Sequence, residues 1–200
     1  ITVTITPVDD AFSEGPETVT MTLSGPSGLY TLGNASSNIT IIDNEPVGIS
    51  SIQGTGTTAT AGIFTVEAIV TGIYPTLSPA GFYIQEEDAN ADGNPNTSEG
   101  IFVVSATPVA VGDLVRVNGT VQENAATPSF NQAVFATATV TVLSSGNPVP
   151  MAVDITLPVT ATADYEKYEG MRVRFPGTLT VTNNENLGTF GELKLSSGGL

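Results

Sequence analysis

The sequence contains no cysteine, no histidine and no tryptophan, and its 200 residues include only five lysines and arginines. Without cysteine there is no disulfide framework and no thiolate nucleophile, and without cysteine or histidine the usual zinc sites are excluded. The missing histidine also excludes a Ser-His-Asp triad. No apolar run approaches the roughly 20 residues of a membrane-spanning helix. The sequence therefore predicts no membrane insertion and no nucleophilic catalysis of these kinds.

Acidic residues outnumber basic residues by 20 to 5, which gives a formal net charge of −15. The imbalance is greatest in the first 115 residues, which contain no lysine or arginine. A surface of this sign repels phosphate backbones, so we expect at most weak binding of nucleic acid through this chain. The absence of cysteine is compatible with an extracellular location and equally with a reducing compartment.

Short runs of alternating apolar and polar residues dominate the sequence and are separated by Gly, Pro, Asn and Ser. This period of two predicts an all-β protein. The predicted strands are 1–6, 17–24, 37–42, 63–73, 80–86, 100–105, 113–122 and 135–143. The one predicted helical segment is a turn or two near 163–169, too short to organise a fold.

Clusters of Pro and Gly divide the chain into three predicted units, 1–46, 47–146 and 147–200. The three strands of the first unit are too few for a closed two-layer core, so we expect it to be part of a larger domain. The five strands of the middle unit predict a small barrel of the oligonucleotide/oligosaccharide-binding (OB) type, with no helix between its third and fourth strands. The last unit is predicted to be the truncated start of a further β domain.

Acidic side chains that are distant in sequence are predicted to converge in the first unit, because the first and third of three antiparallel strands end at the same side. These acids are Asp9, Asp10, Glu14, Glu17, Asp43 and Glu45. Close carboxylates repel one another by about 1 kcal/mol per pair even in bulk water. With no lysine or arginine nearby, Ca²⁺ is the predicted counterion, since it accepts six to eight oxygen ligands in a flexible shell. The alternative is that these acids are solvated loop residues.

The same stretch resembles the C-terminal half of a Calx-β repeat, an immunoglobulin-like sandwich. The similarity lies in residues 7–24 (PVDDAFSEGPETVTMTLS) and 38–46 (NITIIDNEP). It covers only residues 1–46, but the order of an Asp-Asp loop, a Glu-Gly-x-Glu strand entry and a terminal Asp-Asn-Glu is specific. In that family the calcium ligands come from these two loops, which implies the six acids named above.

A second acidic pattern lies in the middle unit, where residues 88–99 (DANADGNPNTSE) satisfy the calcium-loop spacing D-x-[DN]-x-[DN]-G-x5-E. The predicted ligands are Asp88, Asn90, Asp92, Asn94 and Glu99. The flanking segments are predicted strands, so a calcium ion here would be a static clip and not a helical sensor. The alternative is an ordinary hairpin loop, because Asp, Asn and Gly are common loop residues.

Several phrases of the middle and last units resemble the regions that precede the catalytic domain in large secreted bacterial nucleases of the endonuclease/exonuclease/phosphatase superfamily. The phrases are 52–56 (IQGTG), 82–85 (FYIQ), 97–103 (TSEGIFV), 111–121 (VGDLVRVNGTV), 165–176 (YEKYEGMRVRFP), 179–182 (LTVT) and 186–193 (NLGTFGEL). This resemblance implies an extracellular or cell-surface bacterial protein whose parent is a metal-dependent nuclease. It also implies that the catalytic domain is a partner in cis, outside this chain.

The sequence therefore predicts a non-catalytic, calcium-stabilised accessory region that spaces and orients a nuclease domain. The alternative is a Calx-β-containing surface adhesin, with structural or carbohydrate-binding modules. No catalytic residues and no cofactor-binding residues other than calcium ligands are predicted in this chain.

Overall fold

The computed structural model of the chain describes residues 3–8, 17–24, 35–41, 45–76, 78–124 and 131–199. Its strands are β1 (Glu17–Thr22), β2 (Ser36–Ile41), β3 (Gly62–Tyr74), β4 (Gly81–Gln85), β5 (Gly100–Val104), β6 (Leu114–Glu123), β7 (Ala133–Ser144), β8 (Val153–Asp154), β9 (Val173–Arg174), β10 (Thr180–Asn183) and β11 (Lys194–Ser196). Its helical segments are α1 (Ile49–Gln53), a 3-10 helix (Thr162–Tyr168) and α2 (Leu187–Phe190). The all-β prediction is confirmed.

Strands β3 to β7 form a closed barrel in the order β3-β4-β5-β7-β6. β3 closes the barrel by pairing with both β4 and β6, and every neighbouring pair is antiparallel except β5 and β7. The five strands predicted between residues 63 and 143 are all present. The prediction of a five-stranded barrel is therefore confirmed.

The inward side chains of these strands form one hydrophobic core. Phe82 and Phe135 are its largest fully buried side chains, and α1 adds Ile49 and Ile52 to the same cluster. Burial of a side chain of this size contributes about 1.5–3 kcal/mol to folding. The helix α1 was not predicted, because five residues are too few to show a helical period.

A β-bulge in β7 changes which positions face the core. Phe135 pairs with Val121 and Thr137 with Thr120, so the intervening Ala136 has no partner. The core positions of β7 accordingly shift from odd numbers before the bulge to even numbers after it. Core residues of β7 therefore lie on both sides of the bulge.

The remaining strands form three small two-stranded sheets. β1 and β2 are antiparallel, β8 and β9 are parallel, and β10 and β11 are antiparallel. Residues 3–8 are not in a strand, so the strand predicted at 1–6 is not found over its described part, where no neighbouring strand offers hydrogen bonds. The helical turn predicted near 163–169 is present as the 3-10 helix. None of the helices in the described ranges is long and apolar enough to cross a bilayer.

Gly119 allows β6 to lie close to β7. A Cβ built on Gly119 would lie 2.0 Å from the carbonyl oxygen of Thr137, which is a backbone atom and cannot rotate away. We expect Gly119→Ala to lower the free energy of unfolding by about 1–3 kcal/mol, the usual cost of overpacking. The measurement is thermal or urea unfolding. Gly177→Ala is the matched control, because nothing lies within 4 Å of its added Cβ, and equal effects of the two changes would contradict the explanation.

Candidate functional site

A later stretch of the same chain covers part of the outer surface of β4 and β5. We call residues 168–172 the covering segment. Its Gly170 lies directly on Gly100 of β5, since a Cβ built on Gly100 would come within 2.4 Å of the Gly170 carbonyl carbon. Gly170 has a φ of 69°, a conformation that glycine adopts without strain. The two backbones therefore meet with no side chain between them.

Hydrogen bonds hold the covering segment in place on both sides of this contact. The backbone N–H of Arg172 donates to Oε1 of Gln85 over 2.8 Å, and the hydroxyl of Ser98 donates to the carbonyl of Glu169. Gln85 ends β4 and is only 3% exposed. A buried polar side chain needs a partner, and the covering segment supplies it.

The side chain of Glu169 connects the covering segment to two further elements. Its carboxylate accepts a hydrogen bond from the backbone N–H of Ala133 at 2.6 Å and lies 3.5 Å from the amide nitrogen of Gln53. The pKa of Glu169 is raised to about 7, mainly by burial and also by the negative charges of Glu123 and Glu166, while the two hydrogen bonds oppose the rise. Glu169 thus joins α1 and β7 to the covering segment at the cost of burying an acid.

Next to the covering segment, the barrel surface carries a row of three aromatic rings. The ring of Tyr83 packs edge-on against those of Tyr74 and Phe102, with centroid distances of 5.6 and 4.8 Å. The amide of Gln132 donates to the Tyr83 hydroxyl over 2.8 Å. A cleft of about 270 Å³ lies between the two tyrosines and Arg172 of the covering segment. Two of the three rings thus line this cleft.

The loop at 88–99 brings two of its five predicted calcium ligands together. The carboxylate of Asp92 accepts hydrogen bonds from the Thr97 hydroxyl at 2.9 Å and the Asn94 backbone N–H at 2.7 Å. Oε1 of Glu99 accepts from the Asp92 backbone N–H at 3.0 Å. Glu99 is 7% exposed, and its second oxygen, Oε2, is buried without a hydrogen-bond partner.

These contacts move the pKa values of the two acids in opposite directions. The pKa of Asp92 is lowered, mainly by the hydrogen bond from the Asn94 N–H. The pKa of Glu99 is raised, mainly by burial and also by the charge of Asp92. The pair therefore combines one exposed, readily ionised carboxylate with one buried carboxyl group that has an unused oxygen.

The other predicted ligands of this loop are engaged elsewhere. Asp88 accepts a hydrogen bond from the Met151 backbone N–H at 3.0 Å, and Asn90 donates to Glu87 over 3.1 Å. The side-chain oxygen of Asn94 accepts from a backbone N–H two residues later. Among the described residues, no group of three or more acidic side chains is close enough to hold a metal ion. The loop as folded thus presents Asp92 and Glu99 together but not the full predicted set.

Most of the acids predicted to converge in the first unit fall outside the described residues. Asp9, Asp10, Glu14 and Asp43 belong to that group. Glu17 begins β1 and pairs with Ile41, the last residue of β2. It therefore lies at the end of the hairpin where the acids were predicted to converge. Glu45 is described and follows β2 by four residues.

A buried acid that the sequence did not single out lies beside the loop. Glu86 follows β4 directly, is 5% exposed, and accepts a hydrogen bond from the backbone N–H of Ile49 at the start of α1 over 2.7 Å. Its pKa is raised to about 7, mainly by burial and also by the charges of Glu99 and Glu87, while the Ile49 hydrogen bond opposes the rise. The sequence shows an acid immediately after an apolar strand, which is a sign of a buried acid. It does not show the hydrogen-bond partner, because Ile49 lies 37 positions away.

Three of the four basic residues of the last unit make side-chain contacts within the chain. Arg174 forms an ion pair with Asp154, with N–O distances of 2.6 and 2.9 Å, because the parallel pairing of β8 and β9 places the two residues side by side. Arg172 donates to the carbonyl of Pro150, and the Lys167 ammonium lies 5.3 Å from the centroid of the Tyr168 ring.

Comparison with known proteins gave no significant match. No family model matches the sequence, no curated protein is similar to it, and no solved structure matches the chain.

The buried carboxyl of Glu86 predicts a stability that depends on pH. A carboxyl whose pKa is raised in the folded state binds its proton more tightly there than in the unfolded chain, so stability falls as pH rises from about 4.5 to 7. We expect Glu86→Gln, which keeps an acceptor for the Ile49 N–H, to raise the melting temperature at pH 8 and to flatten this fall. The measurement is thermal unfolding from pH 4.5 to 8.5 with a chelator present. Glu185→Gln is the control, because that side chain is exposed, and an equally flattened profile there would contradict the assignment.

Proposed function

We propose that this chain is a non-catalytic accessory module that holds the polypeptide following the barrel in a fixed orientation. The observation that supports the proposal is the covering segment, whose backbone lies against β5 and whose hydrogen bonds satisfy Gln85 of β4 and engage Ser98 beside β5. A flexible linker would leave these polar groups to water. A buried, hydrogen-bonded attachment instead transmits the orientation of the barrel to the residues that follow.

The barrel topology supports a structural role over ligand binding at its usual face. Five-stranded Greek-key barrels of the OB type bind oligonucleotides and oligosaccharides on their second and third strands. If the barrel is of this type, those strands are β4 and β5. Part of that face is occupied by the covering segment, so the barrel uses it to hold its own chain.

The charge distribution also supports a structural role over the binding of nucleic acid. The chain carries −15 overall, and four of its five basic side chains already make contacts within the chain. Arg116 pairs with Glu67, and Arg174 pairs with Asp154. A phosphate backbone would find little free positive charge here, and phosphate contacts supply much of the affinity for nucleic acids.

We place this module in a secreted or surface-bound bacterial nuclease, as the partner in cis of a catalytic domain. The support is the sequence resemblance of the barrel and the last unit to pre-catalytic regions of such enzymes, and of residues 1–46 to a Calx-β repeat. The absence of histidine and cysteine from the sequence fits a part of the protein that does not perform the chemistry itself.

Calcium enters the proposal as a stabiliser of the 88–99 loop. The loop supplies some of the oxygens that a calcium ion needs. The Oε2 atom of Glu99 has no hydrogen-bond partner, and the ionised Asp92 lies next to Glu99. Carboxylate oxygens of this kind suit a hard divalent cation, which takes its remaining ligands from backbone carbonyls and water. The ion would neutralise charge in the loop and take no part in a reaction.

The attachment of the covering segment can be tested with Gly100→Ala. Its methyl group would overlap the Gly170 backbone, so we expect amide hydrogen exchange of residues 168–172 to become about tenfold faster, a loss of about 1.4 kcal/mol in local opening free energy. Gly56→Ala is the control, because its added Cβ meets nothing closer than 3.9 Å. The measurement is hydrogen exchange followed by mass spectrometry on the full chain.

Two results would contradict the structural role. One is unchanged exchange of residues 168–172 in Gly100→Ala, which would mean that the segment does not depend on β5. The other is salt-sensitive binding of a single-stranded oligonucleotide by the unaltered chain, measured by fluorescence anisotropy at low salt.

The calcium proposal predicts that millimolar Ca²⁺ raises the melting temperature of the unaltered chain. At a tenfold excess over the dissociation constant the gain is about 1.4 kcal/mol. Glu99→Gln should reduce this gain, because an amide lacks the charge, whereas Glu185→Gln should keep it. An equal gain in Glu99→Gln would assign calcium to other acids, and no gain in the unaltered chain would remove calcium from the proposal.

A further inference from the structure

A well-formed cleft lies where the ends of β6 and β7 meet the 3-10 helix and β9. Its volume is about 490 Å³, within the range of small-molecule sites. Its walls carry three aromatic rings, which belong to Tyr165, Tyr168 and Phe175. Tyr165 and Phe175 are 40% and 38% exposed, so both residues are accessible from solvent.

Carboxylates supply the charge of this cleft. Glu166 and Glu169 line it, and Glu123 lies close enough to raise the pKa of both. No basic residue is among the described residues that line it. The nearest basic side chain in sequence, Lys167, lines a different cleft beside the 88–99 loop, and its ammonium lies 5.3 Å from the centroid of the Tyr168 ring, which lines both clefts. The negative charge of the cleft is therefore not balanced by lysine or arginine from its own walls.

The polar groups of the lining come from both the barrel and the 3-10 helix. One oxygen of Glu169 already accepts the Ala133 N–H, and the amide groups of Asn131 and Gln132 lie on the barrel side. Glu166 comes from the 3-10 helix together with Tyr165. A ligand in the cleft would thus meet aromatic rings and two carboxylates at once.

We propose that this cleft binds a small organic cation, an alkylated ammonium group, whose charge faces Glu166 and Glu169 and whose alkyl groups pack on the aromatic rings. Cations of this kind are attracted both to carboxylates and to the faces of aromatic rings, and they carry little hydration to lose. A hard metal ion would instead need six or more oxygens, and no group of three or more acidic side chains among the described residues is placed to hold one. An anion would be repelled, and a neutral sugar would leave the carboxylate charge unbalanced.

Choline and its neutral carbon isostere 3,3-dimethyl-1-butanol test the proposal directly, because they differ in charge and not in shape. We expect saturable binding of choline to the full chain, with the isostere weaker by about tenfold or more. Ligand-detected NMR or isothermal titration calorimetry at pH 8 measures both. Affinity for choline should increase from pH 6 to pH 8, because the cation binds the ionised carboxylates.

Variants separate the two parts of the site. Glu166→Gln, which removes one charge, should weaken choline severalfold and leave the isostere unchanged. Tyr165→Leu should weaken choline, whereas Tyr165→Phe, which keeps the ring, should not. Melting temperatures of all variants establish that they are folded.

Three outcomes would overturn the proposal. Equal affinity for choline and the isostere would show an apolar cleft with no preference for a cation. Binding of choline that neither Glu166→Gln nor Tyr165→Leu weakens would place it elsewhere on the acidic surface. Tighter binding of a neutral sugar such as N-acetylglucosamine than of choline would assign the rings to carbohydrate.

Discussion

The contact between Gly100 and Gly170 determines how the chain continues after the barrel. Because no side chain separates the two backbones, the covering segment has a single distance and direction relative to β5. The polar groups next to the contact then find partners across it, Gln85 with the Arg172 N–H and Ser98 with the Glu169 carbonyl. Loss of the close approach would take the Arg172 N–H from the buried Oε1 of Gln85 and would break the Ser98 bond to Glu169, and a buried acceptor that loses its donor is costly. The attachment is therefore specified by packing and hydrogen bonding together.

A second constraint is the scarcity of positive charge. The described ion pairs, Arg116 with Glu67 and Arg174 with Asp154, both lie at the surface, where such pairs contribute little to stability. The buried acids have to be stabilised in another way. Backbone N–H groups bond to Glu86 and Glu169, and the raised pKa of each lets it hold a proton near neutral pH. All of these acids lie where a barrel strand meets a helix or loop.

The barrel was largely predictable because each of its strands repeats every two residues, and that local pattern survives in the fold. The bulge at Ala136 was not predictable, because it depends on the pairing of β7 with β6 and the sequence of β7 alone does not indicate it. The 88–99 loop was predicted in part. Asp92 and Glu99 meet as their spacing suggested, but Asp88 bonds to Met151, 63 positions later. The contact of Gly100 with Gly170 joins residues 70 positions apart, and two isolated glycines give no local signal of it.

Glu169 belongs both to the attachment and to the aromatic cleft, and this shared position has a physical consequence. Its carbonyl receives the Ser98 hydroxyl, while its carboxylate accepts the Ala133 N–H and lines the cleft. A cation in the cleft would favour the ionised carboxylate, which is the better acceptor for that N–H. Binding would then strengthen the link between the covering segment and β7. Because such coupling is reciprocal, a firmly attached covering segment would in turn raise the affinity of the cleft for the cation.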